Sequence, residues 1–150
     1  MPSGRYAMTS RGSTGPELLV DTSVAVALVV GDHSHHDVTF EAIADRRLGL
    51  AGHAAFETFS VLTRLPPPAR RTPAAVARLL EAGFPHTMFL GPAAAASLLA
   101  GLSSRSIAGG SVYDALVGAV AAEHELPLAT RDSRALDTYR SLGVRLELLS

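Results

Sequence analysis

Leu18-Leu19-Val20-Asp21-Thr22-Ser23 runs directly into Val24-Ala25-Val26-Ala27-Leu28-Val29-Val30. A short apolar stretch meets a carboxylate and two hydroxyls, and a second apolar stretch follows. An uninterrupted apolar run suits a strand buried on both faces, as at the centre of a parallel sheet. The spacing predicts a strand over 17–21 and a helix over 23–30, which puts Asp21 at the strand's carboxyl end. Open α/β sheets place their ligand sites along that edge. A helix N-cap formed by Asp21 or Ser23 accounts for the same residues without any site.

Working outward, short β-type runs alternate with helical periods. A helix is expected over 34–45, with Val38, Ala42 and Ile43 turned inward, and a strand over 48–51. Residues 53–65 read as a helix with apolar positions Phe56, Phe59, Val61 and Leu62, stopped by Pro66-Pro67-Pro68. Pro73 opens the next helix, to about 82. Then come a strand over 87–90, an alanine-rich helix over 92–102 and a loop to Gly110. The helix over 111–125 shows apolar positions at Val112, Leu116, Ala119 and Val120. A strand over 126–129, a helix over 133–142 and a strand over 144–148 close the chain. The alternation predicts one α/β domain of three layers, α/β/α, with a mostly parallel sheet of four or five strands. Residues 1–16 are rich in Gly, Ser, Pro and Arg and read as a disordered arm. Met1–Ala7 precede a second methionine at Met8, so they are open to either a native or an expression-scar reading.

Composition removes several chemistries. The 150 residues hold no cysteine, which excludes disulfides, thiolate metal sites and cysteine nucleophiles. There is no lysine either, so all 13 basic residues are arginines, and P-loop and Schiff-base chemistry are excluded. Asparagine and glutamine, the usual bidentate readers of adenine, are also absent. A net charge of −1 gives no basic footprint for nucleic acid unless metal ions supply positive charge locally. No apolar run is long enough to span a membrane and no signal-peptide pattern opens the chain, so the expected location is the cytoplasm.

Four carboxylates stand out by position. Asp21 ends the first strand, Glu57 lies in the 53–65 helix, Asp114 opens the 111–125 helix, and Asp132 follows the fourth β-type run. Strand carboxyl ends and the amino ends of the following helices share one edge of a parallel sheet, so these acids can converge there. Each also has a plainer reading. Ser111-Val112-Tyr113-Asp114 resembles a capping box, Asp132 can cap the helix at Ser133, and Glu57 can be a solvated surface residue. Unit charges about 4 Å apart repel by on the order of 1 kcal/mol in water and roughly 4 at an effective dielectric of 20. Converging carboxylates therefore need a cation, and all-oxygen donors select Mg²⁺ or Mn²⁺. Arg64, two helical turns after Glu57, and Arg131 and Arg134 beside Asp132 are candidate phosphate contacts. His33, His35 and His36 read as an exposed cluster, His53, His86 and His124 as isolated residues, and Gly109-Gly110-Ser111 as a generic anion-binding helix start.

Leu19-Val20-Asp21-Thr22-Ser23, the helical Glu57, Val112-Tyr113-Asp114-Ala115 and Leu128-Ala129-Thr130-Arg131-Asp132, in that order, resemble the PIN-domain nucleases, and VapC-type toxins of bacterial toxin–antitoxin pairs in particular. The His35-His36 helix start and Leu142-Gly143-Val144 add to the likeness, which spans about 18–148. The resemblance implies a PIN-like nuclease domain over 17–150. It implies an endoribonuclease that hydrolyses RNA phosphodiester bonds through metal-activated water, with Asp21, Glu57, Asp114 and Asp132 around one or two Mg²⁺ or Mn²⁺ ions. Ser23 and Thr130 would then orient the water or a carboxylate by hydrogen bonding. A homodimer and a VapB-type antitoxin are the implied partners. The alternative is a non-catalytic or regulatory α/β binding module with a structural cation site. An aspartyl phosphatase would carry a second Asp where Ser23 stands, and a receiver domain would need a late lysine. Asp21→Asn is expected to abolish RNA cleavage and to keep the fold, unchanged or slightly more stable without metal, because Asn keeps the shape and capping ability of Asp and removes one negative charge from a crowded cleft.

Overall fold

The three buried residues of the first strand divide between the two faces of the sheet, and the layers follow from that. The computed structural model describes residues 15–150. In β1 (Glu17–Val20), Leu18 and Val20 face one core while Leu19 faces a second on the other side of the sheet. Each side chain is at most 1 % exposed, and such burial is worth about 1.5–3 kcal/mol per residue. β1 pairs in parallel with β2 (Arg47–Leu50) and β3 (Leu128–Thr130), and β3 pairs in parallel with β4 (Leu146–Leu148). The order β2-β1-β3-β4 makes an all-parallel four-stranded sheet with β1 in its interior.

α1 (Thr22–Val29) and α4 (Pro73–Gly83) pack into the first core with Leu62 of α3 (His53–Thr63). α6 (Ser111–His124) and α7 (Leu136–Ser141) supply the second. α2 (His36–Ala42) packs against α1, and α5 (Pro92–Gly101) against α6. This is the three-layer α/β/α arrangement expected. Local chemistry sets several boundaries. Thr72 caps α4 by accepting from Ala75 N at 3.2 Å, with Pro73 in the first turn. Glu125, at φ +54, ends α6 in the left-handed conformation.

Several expected details shift. The strand over 87–90 reduces to one parallel bridge between Met88 and Ala51. Beside it, the Thr87 hydroxyl rather than a main-chain group accepts from Leu50 N, at 3.0 Å, so the ladder stops. α2 turns His36, Thr39 and Ile43 inward, not Val38 and Ala42; Val38 is 53 % exposed. His36 sets that rotation by a 2.9 Å contact from Nδ1 to the Ala27 carbonyl, so it is buried rather than part of an exposed histidine cluster. α3 buries Ala54, Thr58 and Leu62 and leaves Phe56 in solvent beside Phe89, ring centroids 6.0 Å apart. α6 buries Ala115, Val117, Gly118, Val120 and Ala121, while Val112, Leu116 and Ala119 are half-buried. The expected arm falls outside the described residues except for Gly15 and Pro16, whose carbonyls accept from the Arg47 and Arg46 side chains at 2.7 and 3.3 Å.

Candidate active site

Asp21 leaves β1 in extended geometry and caps α1, its Oδ1 accepting from Val24 N at 3.3 Å. Oδ1 also accepts from Ser23 Oγ at 2.6 Å. Oδ2 accepts from Thr130 Oγ1 at 2.5 Å and from Tyr139 OH at 2.9 Å. The hydroxyl donors are themselves held: Ser23 Oγ accepts from Arg131 N at 2.9 Å, and Thr130 Oγ1 from Asp132 N at 3.0 Å. Burial raises the Asp21 pKa, and the bonds from Ser23, Thr130, Tyr139 and Val24 oppose that shift only in part. Proximity to the Asp21 charge, on top of burial, raises the Tyr139 phenol as well.

The other acids reach the same place from three directions. Glu57 accepts from Thr22 Oγ1 at 3.1 Å. It can cross from α3 because Gly52, at φ +51, turns the chain into that helix; a Cβ there would lie 2.7 Å from Val120 Cγ2. Asp114 stands in the first turn of α6, whose N-cap is Gly110 with no side-chain cap bond, so the capping-box reading does not apply. Asp132 does cap, accepting from Arg134 N at 3.0 Å. Asp21, Glu57, Asp114 and Asp132 line one cleft of about 100 Å³ with Thr22, Ser23, Val117 and Tyr139. Burial pushes the Asp114 carboxyl up, and the charges of Asp132, Asp21 and Glu57 push it further, against Arg134. Two of the four acids therefore cap helices and Glu57 is exposed, as its surface reading has it, while the plainer reading of Asp114 does not hold.

The candidate arginines stand outside the cleft lining. Arg134 Nε lies 3.3 Å from Asp132 Oδ1, with its side chain 91 % exposed. Arg131 buries its Nε without a hydrogen-bond partner and lies close enough to lower the His33 pKa, after burial. Arg64 donates to Ser60 Oγ at 2.6 Å. A larger cavity of about 540 Å³ opens at the opposite edge of the sheet, by Glu17, Arg46, Arg47 and Arg145. Those arginines are engaged with main-chain carbonyls and with Glu147, which leaves the chemistry at the carboxyl edge. Sequence reasoning missed Thr22 and Tyr139. The available signal for Tyr139 is a tyrosine on the inward side of the last helix, whose hydroxyl needs a buried partner.

A parallel sheet covered on both faces, with acids from two strand ends and two helices around one small cleft, defines an α/β protein with an acidic cleft at the carboxyl edge of its sheet. More narrowly, the chain belongs to the PIN domain family, which residues 18–141 match. It is 47 % identical over 131 residues to ribonuclease VapC27 of Mycobacterium tuberculosis, covering 87 % of this chain and 96 % of that one. It is 42 % identical over 131 residues to ribonuclease VapC40 of the same species, covering 87 % and 97 %. Two solved structures share the fold. VapBC2 from Rickettsia felis, bound to a promoter DNA fragment, matches with a TM-score of 0.64 at 11 % identity over 89 % of this chain and 98 % of that one. PAE2754 from Pyrobaculum aerophilum matches with a TM-score of 0.52 at 24 % identity over 89 % and 92 %.

Proposed function

We propose that this chain is a divalent-metal-dependent endoribonuclease, the toxin of a toxin–antitoxin pair, with Asp21, Glu57, Asp114 and Asp132 as its metal-holding and catalytic acids. The observation that carries the reading is that these four acids, separated in sequence by up to 111 positions, line one cleft. The VapC relatives are ribonucleases by name and match nearly their full length. The donor chemistry fits a hard cation, since every ionisable group lining the cleft other than the Tyr139 phenol is a carboxyl. Among the described residues no three acids or imidazoles close on a common point. Burial, with repulsion from Asp132, Asp21 and Glu57, raises the Asp114 pKa, a cost that a cation held among these acids would relieve.

A bound Mg²⁺ or Mn²⁺ would supply Lewis acidity toward the phosphate and lower the pKa of attacking water. The chain's own residues do the rest. Ser23 and Thr130 fix the Asp21 carboxylate by donating to its two oxygens. Thr22 holds Glu57 across the mouth of the cleft. Arg134, Arg131 and Arg64 are the candidate side-chain phosphate contacts; the chain has no lysine, and guanidinium suits that task. The VapC relatives and the VapBC2 fold match support a VapB-type antitoxin as partner. A homodimer would cover the exposed Phe56, Phe89 and Leu99.

The test is RNA cleavage by purified protein with EDTA, then with Mg²⁺ or Mn²⁺ restored. Cleavage is expected only with metal, and Asp114→Asn is expected to lose it. EDTA-resistant cleavage, or a fully active variant, would overturn the reading.

A further inference from the structure

We propose that Tyr139 is a positioning residue for the acidic cleft: its hydroxyl, with that of Thr130, holds Oδ2 of Asp21 on the buried side and leaves Oδ1 as the oxygen offered toward the cleft. The inference rests on the metal-site reading above.

A carboxylate has about four lone-pair sites. Asp21 has four donors, so its acceptor capacity is full. The donors differ by oxygen. Those on Oδ1 are local, two and three residues along the chain, and one of them is the half-buried Ser23 hydroxyl that lines the cleft. The other is the long 3.3 Å cap bond. Those on Oδ2 come from 109 and 118 residues away, and both bonds are buried. Turning the cleft-lining Ser23 hydroxyl frees a lone pair on Oδ1 and leaves that O–H facing the cleft, whereas turning either hydroxyl away from Oδ2 leaves a buried donor without a partner. Asp21 reaches its functional geometry through its tertiary partners.

Tyr139 has a prepared seat. Gly118 lies mid-helix in α6, where glycine is a poorer helix former than alanine. A Cβ at that position would sit 3.0 Å from Tyr139 Cδ1 and 3.1 Å from Leu142 Cδ1. The missing side chain lets the ring lie against α6 with its hydroxyl on Asp21. Tyr139 is 1 % exposed, so solvent cannot substitute for that hydroxyl.

The experiment is Mn²⁺ binding, followed by electron paramagnetic resonance, to wild-type protein and to Tyr139→Phe, which keeps the ring and removes the hydroxyl. Loss of an outer-shell partner typically weakens metal binding about 10–100-fold, and a loss in that range is expected. A purely structural hydroxyl would lower the melting temperature and leave the Mn²⁺ affinity of the folded protein unchanged; that result overturns the proposal. Wild-type protein that takes up no Mn²⁺ overturns the metal-site reading and the positioning role with it. If Tyr139→Phe does not fold, the near-UV spectrum of a Tyr6→Phe/Tyr113→Phe protein decides. The chain has no tryptophan, and Tyr139 would be its sole remaining tyrosine. Mg²⁺ should then produce a tyrosine difference band, and a flat spectrum from protein that binds the ion overturns the proposal.

Discussion

Asp114→Asn is expected to stabilise the metal-free protein at neutral pH and to reverse that order once divalent metal is added. Asp114 makes no cap, and its carboxyl is pushed up first by burial and then by Asp132, Asp21 and Glu57. Asn keeps the volume and polarity and removes the charge. Repulsion among partly solvated carboxylates is worth on the order of 1 kcal/mol, a shift of about 2–4 °C in melting temperature for a chain of this size. The pH dependence has a definite sign. The ordinary value is 3.8 and the folded value is raised. Between those values the folded state keeps a proton that the unfolded chain has released, so the contribution to stability is lost as pH rises through the folded pKa. The advantage of the variant is therefore full above that folded pKa and vanishes toward pH 3.8. Metal at a hundredfold excess over Kd adds about 2.7 kcal/mol to wild type, more than the repulsion it offsets, and less to a variant lacking one donor. Thermal scans with and without Mn²⁺ across this pH range test the reasoning. A metal-free variant that melts below wild type at neutral pH, or an order unchanged by metal, refutes it.

Gly118→Ala should cost about 1–2 kcal/mol in thermal unfolding, because crowding of Tyr139 and Leu142 outweighs the gain in helix propensity. It should also weaken Mn²⁺ binding, since the ring it displaces carries the hydroxyl on Asp21. A Phe56→Ser/Phe89→Ser pair should leave the melting temperature within about 2 °C, since both rings are more than half exposed, and should shift any dimer to monomer in light scattering. Arg46→Ala removes a bidentate pair with Glu147 at 3.0 Å; because both groups are partly exposed, about 0.5–1 kcal/mol is expected, detectable in urea melts.

The central strand, its acid and the order of the four carboxylates were legible because each leaves a local signature: an apolar run of strand length, or a charge where a strand ends or a helix begins. The phases of the helices were not. α2 is only seven residues long, and its rotation is set by the contact of His36 with Ala27, which apolar periodicity does not record. In α3 the apolar Phe56 faces outward and the polar Thr58 inward, so counting apolar positions points to the wrong side. Residues 87–90 have strand composition, but the Thr87 side chain takes the place of a ladder partner. For Asp21→Asn, shape, capping and repulsion are legible in the sequence, and the partners of the carboxylate are not. Four hydrogen bonds converge on that carboxylate, and bonds to charged groups contribute about 1.5–3 kcal/mol each. Tyr139, 118 residues from its partner, had no local signature beyond its own hydroxyl.

The pairing of β1 with β3 has a consequence for the birth of the protein. Asp21 is synthesised early, yet its Oδ2 partners are Thr130 and Tyr139, and β4 closes the sheet only at Leu146–Leu148. Domains fold as units during synthesis, and pairings of such separation form late because loop closure precedes any reward. Until residues 128–141 have left the ribosomal exit tunnel, the sheet lacks β3, and the cleft lacks Asp132 and both groups that hold Oδ2 of Asp21. The acidic cleft is therefore completed only once the 128–141 stretch has emerged, so the half of the site made first stays without its partners while the stretch that completes it is still being made.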